Sequence, residues 1–165
     1  MTLMIIFFVA QNYKNKPITE ILDVKKLKAV DRAIESANGL PNECYTSEDY
    51  LAHEKERIFC GKWTVIGVGS SIPNPGDVKP YNLLGIPLIL IRGKDMKIRV
   101  FHNVCSHRGF KLIDEQKTLK NVIRCPYHSW SYNFKGNLIA TPHIGGLNNH
   151  QSEKFDKTKS NLKEV

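Results

Sequence analysis

Apolar positions along the chain fall into two regimes. Between Thr19 and Ala37, Ile21, Leu22, Ala29, Val30, Ala33, Ile34 and Ala37 recur at steps of three and four, which predicts an amphipathic helix. Lys25 and Lys26 interrupt its stripe, and Gly39 and Pro41 stop it. A second helix is predicted from Ser47, a good N-cap, through Glu48 and Asp49 in the first turn, where the helix dipole favours negative charge, to about Phe59. From Trp63 the apolar runs become short and β-rich: Trp63 to Val68, Leu83 to Leu84, Leu88 to Ile91, Ile98 to Val104, Val122 to Arg124, Trp130 to Phe134 and Leu138 to Ile139. Turn signals separate them, among them 73–77 (PNPGD), 93–95 (GKD) and 135–137 (KGN). The expected fold is mainly β, an antiparallel sandwich or barrel, with two helices ahead of it.

The opening Leu3 to Ala10 is apolar over eight residues, whereas a bilayer needs about 20. Its first basic residue, Lys14, comes after the run, so it does not read as a signal peptide either, and an irregular leader or a misplaced start is expected. The chain has 165 residues, room for one domain or two small ones. The expected division is a leader and helical segment over 1–60 and a β domain over 61–165. The formal charge is +8, from 24 Lys and Arg against 16 Asp and Glu. Much of the excess is read into two lysine-bearing stretches, Lys14 to Lys28 and Lys154 to Lys163. They lack interleaved aromatics and are taken as solvated ends, with no nucleic-acid or membrane partner expected. Four scattered cysteines are too few for a disulfide framework, so free or metal-bound thiols in the cytoplasm are expected.

The chemistry concentrates in two short strings, Cys105-Ser106-His107 and Cys125-Pro126-Tyr127-His128, each directly after an expected strand. Two thiolates and two imidazoles on two loops suit a metal centre. In a Rieske 2Fe–2S cluster, two Cys hold one iron and two His the other, and neutral imidazoles in place of two anionic thiolates raise the reduction potential. A structural zinc site also uses two Cys and two His. Zinc loops, however, usually pair like with like, whereas each loop here carries one of each.

The strings Asn103-Val104-Cys105-Ser106-His107-Arg108-Gly109, Cys125-Pro126-Tyr127-His128-Ser129-Trp130-Ser131-Tyr132 and Gly136-Asn137-Leu138 resemble the Rieske domain of ring-hydroxylating oxygenase alpha subunits. That family includes monooxygenases of quaternary ammonium compounds. The resemblance reaches upstream through Leu40-Pro41, Tyr45, Glu54, Ile58-Phe59, Trp63 and Pro75-Gly76-Asp77, covering about residues 38–165. It implies that Cys105, His107, Cys125 and His128 ligate a 2Fe–2S cluster and that a reductase or ferredoxin supplies electrons. The mononuclear non-haem iron, and with it every catalytic residue, is expected in a domain this chain lacks. The chain then reads as the N-terminal part of an oxidoreductase that is homo-oligomeric when intact, cut before the last strands of its Rieske domain. Such a cut is expected to leave a sheet edge open. A stand-alone Rieske ferredoxin is the alternative, and the upstream helices argue against it.

The resemblance also bears on subtype. Respiratory Rieske proteins carry a disulfide between the two loops, and the matching positions here are Phe110 and Tyr127, so no such bond is possible. Ser129 stands where many relatives have Gly, and its hydroxyl is expected to donate a hydrogen bond near the cluster. Arg108 is expected to pack over the site, and Trp130 and Tyr132 to pack beneath the loops. His102 reads as a strand residue, Cys44 and Cys60 as partly buried thiols, and His53, His143 and His150 as surface residues.

Overall fold

The computed structural model describes residues 4–7, 16–60 and 62–165, the first group as backbone only. The chain divides into two compact units, the shorter comprising Ile6–Thr64 and the longer Met1–Ile5 with Val65–Val165.

Helices dominate the described part of the shorter unit. The single helix expected over 19–37 is instead two short ones, α1 (Ile18–Ile21) and α2 (Val24–Lys28), followed by turns. The break has a local cause. Leu22 is extended, and the Asp23 carboxylate accepts from the Lys25 backbone N–H at 2.8 Å, which caps a new helix instead of continuing the old one. A four-residue helix, α3 (Glu43–Thr46), was not expected. Ser47 caps α4 (Glu48–Glu54) as expected, with its Oγ accepting from the Tyr50 N–H at 3.2 Å. The helix then widens into a π turn over Lys55–Phe59, closed by the Cys60 N–H on the Lys55 carbonyl at 2.7 Å. Two expected helices are therefore four, plus a π turn, among the described residues.

Antiparallel strands fill the longer unit. The apolar opening is not wholly irregular, since Met4–Phe7 form β1, which pairs with β2 (Thr64–Val68); residues 8–15 lie outside the described part. The main sheet has the order β5-β4-β3-β6, built from β3 (Asp77–Leu83), β4 (Ile86–Arg92), β5 (Ile98–His102) and β6 (Lys117–Thr118). A second sheet has the order β7-β8-β9, from β7 (Ile123–Arg124), β8 (Ser131–Tyr132) and β9 (Leu138–Ala140). Leu84 does not start a strand; it and Gly85 turn β3 into β4 with φ of 52° and 97°. Val78, Ile89, Ile91 and Phe101 of the main sheet share one buried core with Ile123, Tyr132 and Leu138 of the second.

Two connections emerge from this frame towards the site. One leaves β5 and returns at β6; the other joins β7 to β8. The C-terminal residues reinforce the first. The His102 N–H bonds the Lys163 carbonyl at 2.9 Å, the Val165 N–H bonds the Val100 carbonyl at 3.2 Å, and Leu162 is buried. The outer edge of β5, expected to lie open, is thus partly paired. Gly136 permits this closure: it lies in a tight turn, its carbonyl accepts from the Leu162 N–H at 2.8 Å, and a Cβ there would meet the Phe101 ring at 2.6 Å.

Candidate metal centre

The two loops share one backbone design. In the first, the Cys105 N–H bonds the Phe110 carbonyl at 2.8 Å and the Gly109 N–H returns to the Cys105 carbonyl at 2.9 Å. In the second, the Cys125 N–H bonds the Trp130 carbonyl at 2.8 Å and the Ser129 N–H returns to the Cys125 carbonyl at 3.0 Å. Both turns close on a left-handed residue, Gly109 at φ 67° and Ser129 at φ 60°. A glycine takes this conformation freely and a serine takes it at a cost, so the backbone explains why glycine suits position 129.

Each loop buries its cysteine and leaves its histidine outward. Cys105 and Cys125 are both 2% exposed, neither forms a disulfide, and both belong to the same buried core. His107 is half-buried and His128 exposed, with ring centroids 4.8 Å apart. The four side chains singled out in the sequence therefore converge, thiols inside and imidazoles outside. The imidazoles and Trp130 border an open cavity of about 530 Å³ that His143 also lines.

Burial sets the protonation tendencies that the structure shows at this site. Burial pushes the Cys125 thiol up, and the backbone N–H groups of Tyr127 and His128, aimed at its sulfur, oppose that shift. Burial holds His107 below its ordinary pKa, with smaller contributions from His128 and the exposed Arg108. Two buried cysteines behind two outward imidazoles, with burial disposing His107 to be neutral, make a donor set that fits a cluster with one thiolate-held and one imidazole-held iron.

Tyr132 has more to do than pack. Its hydroxyl accepts from the Ser106 N–H at 3.1 Å and lies 3.3 Å from Cys105 Sγ, where it donates once that sulfur is a thiolate. Burial first, and the Cys105 contact next, push the phenol well up, so its proton stays in place. The sequence signal for this is an inward strand position with a buried aromatic hydroxyl, which must find a partner. Trp130 stacks on His107 at 4.5 Å with the planes 9° apart. Asn103, at the exit of β5, has a role that its place in the motif string does not reveal. Its buried side chain accepts from the Leu112 and Ile113 N–H groups at 3.1 and 2.9 Å and donates to the Ile113 carbonyl at 2.6 Å, pinning the chain that follows the first loop.

Outside the site, His102 lies in β5 as expected, Cys60 is buried and Cys44 half-buried. His143 and His150 are exposed and pack edge to face at 4.9 Å. His53 departs from expectation: it is half-buried, with Nε2 against the Lys16 carbonyl.

Fold, paired loops and donor set together define an iron–sulfur domain. The chain belongs to the Rieske [2Fe-2S] domain family, whose description matches residues 62–151. Among curated relatives, the carnitine monooxygenase oxygenase subunit of Escherichia coli (strain K12) is 34% identical over 76% of this chain and 33% of its own length. That of Acinetobacter pittii is 38% identical over 74% and 32%, and the benzene 1,2-dioxygenase alpha subunit of Pseudomonas putida is 32% identical over 82% and 28%. A solved quaternary ammonium Rieske monooxygenase in complex with gamma-butyrobetaine superposes with a TM-score of 0.66 at 37% identity, covering 75% of this chain and 34% of that one. A naphthalene 1,2-dioxygenase with bound indole gives 0.63 at 32%, over 73% and 26%. The chain thus spans about a third of the length of the curated relatives it matches.

Proposed function

We propose that Cys105 and Cys125 hold one iron of a 2Fe–2S cluster as thiolates, that His107 and His128 hold the other as neutral imidazoles, and that the domain relays single electrons within a larger oxygenase. The convergence of two buried sulfurs with two outward imidazoles on a shared loop design carries this reading. The cluster supplies a one-electron redox couple. The protein's own part is to exclude water from the sulfurs, aim the Tyr127 and His128 amides and the Tyr132 hydroxyl at them, and present the imidazole edge to solvent or a partner. In the intact protein the donor is a reductase or ferredoxin, the acceptor is a mononuclear iron in a domain beyond these residues, and the subunits form a homo-oligomer. The substrate is a quaternary ammonium compound or an aromatic ring, as the names of the relatives suggest. No helix among the described residues is long and apolar enough to cross a membrane, and the cytoplasm is the proposed compartment.

Purified protein is expected to be red-brown, to contain two irons and two sulfides per chain as a 2Fe–2S centre requires, and to show a Rieske electron-paramagnetic-resonance signal after dithionite. Colourless protein with one zinc would sink this reading in favour of a structural site. The relatives named above are oxygenase subunits, which favours an oxygenase component over a free ferredoxin carrier.

A further inference from the structure

The two loops hang from different sheets, the first leaving β5 of the main sheet and the second lying within the β7-β8-β9 sheet. A centre with ligands on both needs the loops held at a fixed separation. Beneath the site this is done by buried groups, Tyr132 reaching Cys105 and Ser106, and Trp130 stacking on His107. On the outer side each loop carries one exposed six-membered ring, on Phe110 at 43% and Tyr127 at 56% exposure.

These two rings meet. Their centroids are 5.7 Å apart with planes tilted by 38°, within the range of favourable aromatic pairs. Tyr127 also lies against His128, its centroid 3.7 Å from the imidazole's. Phe110, Tyr127, His128, His107 and Trp130 therefore form an unbroken series of ring contacts across the outer face of the site. Hydrophobic burial does not explain two partly exposed rings that face one another across two loops; mutual positioning does.

We propose that Phe110 and Tyr127 form an aromatic clasp that locks the two loops together on the solvent side and, through Tyr127, fixes the orientation of the His128 ring. Both are positioning residues, acting through the loops and the imidazole. This rests on the ligand assignment proposed above. The clasp makes the outer, imidazole-held side of the centre slow to open, so its loss shows first as escape of iron from that side.

A double-mutant cycle on the loaded protein tests this. The rate of cluster loss to an iron chelator, followed by visible absorbance, is measured for Phe110→Ala, Tyr127→Ala and the double variant. An aromatic pair of ordinary strength predicts that each single change speeds loss by about 2- to 10-fold and that the double variant is little faster than either single. Tyr127→Phe, which keeps the ring, should restore slow loss. Tyr127→Ala should also broaden or shift the signal of the reduced centre, while the thermal midpoint of the protein stays close to that of Tyr127→Phe. If alanine variants do not accumulate, Phe110→Leu and Tyr127→Leu run the same cycle with apolar volume kept and the rings removed. Multiplying effects in the double variant, or a Tyr127→Phe protein as leaky as Tyr127→Ala, would overturn the clasp. Unsubstituted protein that binds no cluster would instead sink the ligand assignment, and the clasp with it.

Discussion

At the scale of single residues, two side chains near the sulfurs act by different physics. Tyr132 contributes a hydrogen bond to Cys105 Sγ, and a donor to a thiolate stabilises the more negative, reduced state. Its removal in Tyr132→Phe leaves volume and burial intact. With a hydrogen bond worth about 1 kcal/mol, the one-electron potential should fall by about 40 mV, readable by voltammetry. A potential unchanged in that variant would show that the phenol does not donate to the sulfur. Ser129 acts through its backbone. A non-glycine residue at φ 60° costs roughly 1 kcal/mol, so Ser129→Gly should stabilise the domain by up to about that amount in denaturant unfolding. The same variant separates the two ideas attached to this position: a shift in potential reports the hydroxyl, a shift in stability reports the turn.

At the scale of elements, legibility in the sequence follows how much burial each segment has. Strands with continuous apolar runs, β4 and β5, lie within a residue or two of where the pattern puts them. β3 is unreadable because Asp77, Lys79, Pro80 and Asn82 break its apolar character. The structure tolerates them because β6 pairs only with Asp77 and Val78, which leaves the rest of that edge of β3 open at Pro80, where a missing N–H costs little. The helix over 19–37 fails for the opposite reason, since correct spacing is overridden by a side chain competing for the backbone at Asp23. The four proposed ligands are legible because metal chemistry restricts residue type and spacing together. Asn103 is not, because a buried amide serving three backbone groups leaves no periodic trace. Asn103→Leu should therefore cost about 3 kcal/mol or more, as three buried backbone groups lose their partner. Denaturant unfolding within about 0.5 kcal/mol of wild type would mean the segment finds other partners. Asp77 gives the corresponding pH prediction. Its carboxylate accepts from Thr118 Oγ1 at 2.6 Å and the Asn74 N–H at 2.8 Å, and these bonds, led by Thr118, hold its pKa below the usual carboxylate value. A folded pKa below the unfolded one gives stability that is present above the unfolded value, about 3.9, and lost as pH falls through the folded one. Asp77→Asn should flatten that acid limb, and an acid transition identical to wild type would exclude this carboxylate as a contributor.

At the scale of the whole molecule, the charge sits only partly where the lysine-bearing stretches suggest: Lys154 to Lys163 carries four Lys against one Asp, whereas the excess of Lys14 to Lys28 is offset by the acids that follow it. Residues 1–64 carry nine Lys and Arg against nine Asp and Glu and are neutral, so the entire +8 excess, fifteen against seven, lies on residues 65–165. It does not belong to an N-terminal basic helix, because Glu20, Asp23, Asp31 and Glu35 offset the lysines there. The unit that carries the proposed centre is therefore the cationic one, with Arg108 and Arg124 exposed beside the two loop motifs. Such a field raises the encounter rate with an anionic partner and is screened over a Debye length of about 8 Å at physiological salt. Stopped-flow reduction of the loaded domain by an acidic ferredoxin-type donor should slow several-fold between roughly 0.01 and 0.15 M salt, and a donor of opposite charge should show a flat or inverted dependence. Arg108→Gln should reduce the salt slope for the acidic donor while leaving cluster content unchanged, because that guanidinium is exposed and is not among the proposed ligands. Equal slopes for donors of opposite sign would show that net charge does not steer this domain, whatever the donor proves to be.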